Sequence, residues 1–343
     1  MDKYPATQKL IFFVLRFFAV AILIGSCSRN KFDISPKETI SIEIVRLDTA
    51  MFEPKPEKVK QTILQYFELY PDVFEIYTER ILRLGNPQSR YFMEYLDLFL
   101  RHPDIRDSYD SVKAIFGDFS KHKKVLERAF SLVKTHVPDV KIPKIYLTIS
   151  GFNESLVMAD DAVIVGLDKF LGSKSFFYQK IGMPRYLRQR AQPDLLAVEI
   201  VRNWLITEYP NQDSVYDLVS EIIQHGKVLY LMDAAFPKLS DAVKISFSDD
   251  EITWAINSER HIWTYWIQEK MLFNKSPMEI KKYTGDAPFV ATFGNDSPGR
   301  IGAWMGWQIV RSFMKHNSDI SIEQLMKIKD NHQILQKSKY LPR

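Results

Sequence analysis

Glu199 and Arg202 are the only charged side chains in the run Leu195-Leu196-Ala197-Val198-Glu199-Ile200-Val201-Arg202-Asn203-Trp204-Leu205-Ile206, and on a helical wheel they share one narrow stripe with Asn203. Val198, Val201, Trp204 and Leu205 take the other faces, so the helix is apolar nearly all round and is expected to be buried. An isolated buried ion costs several kcal/mol to desolvate, and residues three apart on a helix are close enough to pair. Two chemistries compete for this stripe. One is an ion pair that holds the helix in place; the other is a glutamate poised to take a proton from water. Downstream, Ser220-Glu221-Ile222-Ile223-Gln224-His225-Gly226-Lys227 brings a second glutamate and a histidine.

A small sheet, a hairpin, a buried helix with one glutamate and a later helix with another follow each other in an order that resembles zinc peptidases of the HExxH type. In those enzymes two histidines four apart bind zinc and the glutamate between them activates water. The corresponding positions here are Val198, Glu199 and Arg202, with Glu221 where a third ligand would stand. The glutamate is present and both histidines are absent. Valine offers no donor, and arginine repels a cation. His102, His122, His136, His225, His261, His316 and His332 include no pair three or four apart, so no helix presents a two-histidine face. The expectation is no metal, no cofactor and no catalytic residue, with Arg202 standing in for the metal's charge beside Glu199 and Glu221. The alternative is a hydrolase using Glu199 as general base, helped by His225 or by a metal bound elsewhere.

Near the C-terminus, Ser297-Pro298-Gly299-Arg300-Ile301-Gly302-Ala303-Trp304-Met305-Gly306-Trp307 concentrates unusual residues. Ser297 is expected to cap a helix with Pro298 in its first turn, leaving Gly299, Gly302 and Gly306 as a nearly bare helix face. Helix-interior glycine costs up to about 1 kcal/mol against alanine, so the spacing implies close approach of another helix or a ligand. Arg300 opposes the dipole of such a helix and needs a partner. That partner is an internal carboxylate, Asp286, Glu199 or Glu221, or else a ligand carboxylate or phosphate. Trp304 and Trp307 read first as core and second as a binding platform. The binding candidates are therefore Arg300, Trp304, Trp307, Glu199, Arg202 and His225.

The elements that must position these residues read as follows. Residues 40–47 alternate β-branched and polar side chains at strand period. Residues 56–135 carry apolar residues at helical spacing, punctuated by Pro71, Pro87 and Pro103. Strand character returns at Lys144–Ile149, Ser155–Met158 and Ala162–Leu167, with Asp160-Asp161 as a hairpin turn. Everything after Asp168, including all six tryptophans, reads as helix. The fold expected is α+β, mainly helical with a small mixed sheet of about four strands; the peptidase resemblance adds a degenerate zincin-like core. The expected organisation is a signal peptide over 1–26, a tether over 27–39 and one α+β domain over 40–343, helical over 50–137, sheet and hairpin over 140–168, and helical over 169–343.

Cys27, the only cysteine, follows a basic stretch (Lys3, Lys9, Arg16) and a short apolar core ending Leu23-Ile24-Gly25-Ser26. That core is too short for the ~20 residues that span a bilayer, and it matches a lipoprotein signal peptide with its lipobox. Cys27 is the expected lipidation site and the membrane partner is expected through that lipid. Cleavage removes three cations and one anion, taking the formal charge from +4 to +2, and a near-neutral chain argues against nucleic acid. With Cys27 modified no disulfide or cysteine metal site can form. Ser28-Arg29-Asn30-Lys31 lacks the acidic run of surface-exported lipoproteins, so a periplasm-facing protein on the inner or outer membrane is expected.

Tyr283-Thr284-Gly285-Asp286-Ala287-Pro288-Phe289 and the Ser297–Met314 segment resemble the gliding-motility lipoprotein GldB family of Bacteroidetes. The lipobox, the Glu199-Ile200-Val201-Arg202 helix, Gly226–Ala234 and Glu259-Arg260-His261-Ile262-Trp263 extend the similarity over the whole mature chain. The resemblance implies an envelope lipoprotein of the gliding and type IX secretion-associated machinery, with other envelope, gliding or secretion proteins as partners. It supplies no reaction, so a non-catalytic scaffold or binding module is the reading. A third reading is a carrier that holds an extended peptide along the sheet edge near Ser155–Met158.

Overall fold

Four short strands make the only sheet among the described residues: β1 (Ile44–Arg46), β2 (Lys144–Thr148), β3 (Leu156–Met158) and β4 (Ala162–Gly166), in the order β1-β2-β4-β3. The first three in that order are parallel, with Ile44 opposite Ile145 and Tyr146 opposite Ile164; β3 closes the sheet antiparallel, with Val157 opposite Ile164. β2 and β4 are buried on both faces, as expected of parallel strands sandwiched by other elements, which is why Ala162–Gly166 reads as a continuous apolar run. The expected mixed sheet and the helical excess are both present.

The computed structural model describes residues 32–342, and from Ser35 onward the chain forms one compact unit. Cys27 and the segment before it lie outside the described residues. Among those described, no helix is long and apolar enough to cross a membrane.

The first strand is shorter than its alternating sequence implies. Only Ile44–Arg46 pair, and Leu47 already starts a helix (Leu47–Phe52). The backbone N–H groups of Lys37, Ile40 and Ile42 instead donate to Thr135, Ser131 and Glu127 side chains on α1 (Ser120–His136). Part of the segment expected as a tether is thus fastened along a helix. The helical region between residues 56 and 116 meets the sheet through Tyr70, whose ring packs edge-on against Tyr146 of β2, and buried Tyr77 donates its hydroxyl to the Ile149 carbonyl just beyond β2 at 2.8 Å.

Five later helices build the functional wall: α2 (Arg185–Arg190), α3 (Leu196–Glu208), α4 (Leu218–Ala235), α5 (Asp241–Ile245) and α6 (Ile301–His316). α4 and α6 form the principal helix pair. A Cβ at Gly306 would overlap the Ile222 carbonyl, and one at Gly226 would overlap the Gly306 carbonyl, so the two backbones touch. The close approach expected of Gly302 and Gly306 is therefore met by α4. Gly299 plays a different part, since α6 begins only at Ile301. Ser297 does not cap α6: its hydroxyl donates to the Gly294 and Val290 carbonyls and accepts from the Val290 N–H, fixing the preceding loop instead. Arg300 occupies the N-cap, in the left-handed region at φ 58°.

Candidate functional site: a polar cavity with three arginines

α3 buries Val198, Val201, Trp204 and Leu205 and turns its polar stripe toward a cavity of about 450 Å³. Trp204 anchors the helix from behind, its indole donating to the Lys141 carbonyl at 2.9 Å. On the stripe, Arg202 donates to Glu199 Oε2 at 2.6 Å, and Asn203 Nδ2 reaches the same oxygen at 3.3 Å. Ser246 donates to Glu199 Oε1 at 2.6 Å while accepting from Arg202 at 2.8 Å. Every acceptor of Glu199 is therefore aimed at a donor. Burial opposes the charge on Glu199, but Arg202 and then the Ser246 hydroxyl outweigh it and hold the carboxyl below its ordinary value. A carboxylate stabilised in this way is a weak proton acceptor.

Ser246 was not among the residues singled out by sequence. It follows α5 at φ 58°, and that conformation turns the last carbonyls of α5 into the site. Lys244 O accepts from Arg202 and Ile245 O accepts from Arg300 at 2.9 Å, the usual service of basic side chains to a helix C-terminus. No local pattern marks a serine in Lys244-Ile245-Ser246-Phe247 as a partner of residue 199.

Arg300 meets Asp286, one of its three expected internal partners. Its Nε lies 3.1 Å from Asp286 Oδ1 but is not aligned for a hydrogen bond, and this buried nitrogen has no other acceptor among the described residues. The same Asp286 oxygen accepts from Arg190 on α2 at 2.6 Å. Gly299 permits this arrangement, because a Cβ there would overlap the Ala287 backbone that carries Asp286 into place. Burial, then Arg190 and Arg202, push the Arg300 guanidinium down, whereas Arg300 and Arg190 hold the Asp286 carboxyl down against its own burial. Positive charge is in excess here.

The other expected site residues separate into two groups. His225 lines the cavity. Glu221 does not; it pairs with His225 at 3.5 Å and accepts from Asn211 at 3.0 Å. The expectation that Arg202 holds both glutamates is corrected: Arg202 spends its donors on Glu199, Ser246 and Lys244 O, and α4 presents Glu221 to the loop before it. Trp304 and Trp307 are buried and line no part of the cavity. Trp307 donates to Asp233 at 3.1 Å, and both tryptophans pack in the core. Among the described residues no three His, Cys, Asp or Glu side chains converge as a metal ligand set.

The opposite wall is the turn and edge strand at residues 153–156. Asp168, fully buried, accepts from the Ser150 N–H at 2.9 Å, the Ser150 hydroxyl at 3.0 Å and the Phe152 N–H at 2.6 Å. This carboxylate holds Gly151 and Phe152 at positive φ, a conformation that is uncommon for phenylalanine. Lys169 adds a bond to the Phe152 carbonyl at 3.0 Å and itself lines the cavity. A polar pair ending the apolar run 162–167 was the available signal for this clamp.

The sequence profile of gliding motility protein GldB matches residues 27–342. The chain belongs to the GldB family. The match takes in every residue of the cavity, so the three-arginine site lies wholly within the GldB region. No curated protein and no solved structure matches the chain significantly.

Proposed function

We propose that this GldB-family chain is an envelope lipoprotein, anchored through Cys27, that serves the gliding and secretion-associated machinery as a non-catalytic binding module. In this reading the fold descends from a zinc peptidase and keeps the cleft without the metal. The observation that carries it is the condition of Glu199. Both carboxylate oxygens are occupied by Arg202, Asn203 and Ser246, and Arg202 sits one helical turn on, where a zinc ligand would be required. A general base needs uncommitted oxygens and a raised proton affinity; both oxygens of Glu199 already accept hydrogen bonds and its carboxyl is held below its ordinary value. Cleft walls that pair an edge strand with apolar and cationic side chains support retention of a ligand over its turnover.

Elemental analysis of the purified full-length protein tests this reading. Zinc below a tenth of an equivalent is expected. Stoichiometric zinc, lost together with peptide hydrolysis on Glu199→Gln, would establish the hydrolase instead.

A further inference from the structure

Arg190 and Arg300 converge on a single carboxylate oxygen of Asp286, at 2.6 and 3.1 Å, and the buried Arg300 Nε has no hydrogen bond among the described residues. Arg202 is committed to Glu199, Ser246 and Lys244 O, and Lys169 to the Phe152 carbonyl. Two guanidinium groups thus share one internal acid at the wall of a cavity, with donors left over. Guanidinium forks match carboxylates bidentately, so the missing element is a second carboxylate or an ion of like shape.

The rest of the cavity indicates what that carboxylate is attached to. Leu156, Phe170, Met183, Leu187, Ile245 and Ala303 give it an apolar lining, and its size is that of an ordinary ligand pocket. β3 is the last strand of the sheet. The Gly166 N–H donates to Ser155 O and the Ala159 N–H to Ala162 O, which marks 155 with 166 and 159 with 162 as hydrogen-bonded pairs. Alternation in an antiparallel ladder then turns the N–H and C=O of Leu156 and Met158 away from β4. Among the described residues neither has a hydrogen-bond partner on that side, and Leu156 lines the cavity. An open strand edge beside an apolar slot is the arrangement that receives an extended chain by strand addition.

We propose that the cavity receives the C-terminus of a peptide: Arg190 and Arg300 clamp its terminal carboxylate, and the backbone of Leu156 and Met158 pairs with the residues before it. Asp286 holds the clamp while the site is empty. This inference rests on the non-catalytic binding reading and specifies its ligand. A phosphate or other free anion would use the arginines alone and leave the strand edge and apolar lining without a role.

The test is retention, by the immobilised full-length protein, of a fluorescent pool of random decapeptides with an apolar last residue, made once as free acids and once as C-terminal amides. The free-acid pool is expected to be retained at least tenfold better. Arg190→Gln removes that preference, and Arg300→Gln does the same. Asp286→Asn is expected to raise free-acid retention several-fold, an effect that loss of structure would not produce. Equal retention of acids and amides would overturn the carboxylate clamp and leave a peptide-binding module standing. Retention of neither pool by a protein with a native thermal transition would overturn both readings. Full displacement of the acids by equimolar inorganic phosphate would overturn the peptide assignment in favour of a simple anion site.

Discussion

Two charge networks, one on α4–α6 and one around α2, α3 and the residues flanking α5 and α6, behave in opposite ways. In the first, Asp233 on α4 accepts from Lys244 at 2.8 Å, from Arg311 at 3.0 and 2.8 Å and from Trp307 at 3.1 Å, and Asp241 accepts from Arg311 Nη1 and Nη2. Two acids meet two bases, and the Arg311 guanidinium also stacks on the Trp307 ring at 3.8 Å. Burial works against the charge of Arg311, yet Asp241 and Asp233 raise its proton affinity above the ordinary arginine value. In the second network, the only carboxylates that Arg190, Arg202 and Arg300 meet among the described residues are Glu199 and Asp286, and the proton affinity of Arg300 falls. The closed network is complete without a visitor. The open one lines a cavity and is short of one negative charge, and that difference separates a device for stability from a device for binding.

The comparison is most severely tested from its closed side. Asp233→Ala leaves Lys244, Arg311 and the Trp307 N–H facing one another, and is expected to cost about 3–5 kcal/mol, the range for breaking a buried pair. Chemical denaturation at neutral pH measures it, and a cost under 1 kcal/mol would show that the closed network is no structural core. Arg202→Ala, between the two types, strips Glu199 of its cation and is expected to cost about 2–3 kcal/mol; an unchanged melting temperature would refute the pairing role. Asp286→Asn should move stability by no more than about 1 kcal/mol, because its half-exposed side chain resembles a surface ion-pair partner. A loss as large as that of Asp233→Ala would erase the distinction between the networks. The smallest effect concerns pH. The folded-state pKa of Glu199 lies below its ordinary value of 4.5, so its stabilising contribution is whole above that value and declines as pH falls through the folded pKa. Glu199→Gln should therefore flatten the acid limb of a stability-versus-pH curve below pH 4.5 and leave its slope near pH 7 unchanged, as followed by thermal melts.

Short apolar runs flanking the Asp160-Asp161 turn locate the hairpin, and helical geometry alone places Glu199, Arg202 and Asn203 on one stripe. Those signals are local, and the structure keeps them. The remainder of the cavity comes from segments far apart in sequence: α2, the residue after α5, the Asp286 loop and the residue before α6. Arg190 and Ser246 sit in stretches with no pattern of their own, so their convergence depends on tertiary packing that no spacing rule contains. Ser297 illustrates the converse error. Ser-Pro before an apolar run is a proper capping signal, but the loop at 290–297 competes for the same hydroxyl and takes it. Residues 40–43 alternate as a strand should, yet the Ile40 and Ile42 N–H groups go to the Ser131 and Glu127 side chains of α1.

The contact of α4 with α6 at Gly226 and Gly306 has a consequence for motion. Backbone touches backbone there, so no rotamer change can let one helix slide past the other, and the pair should move as a single rod. His225 on one helix and Ala303 on the other then keep a fixed separation while the protein fluctuates. Another part of the cavity is lined by six-residue α2, through Leu187 and Arg190, and by the turn and edge strand at 153–156. Any breathing that admits a ligand must come from that side, with amides of α4 and α6 exchanging slowest and those of residues 182–192 exchanging orders of magnitude faster.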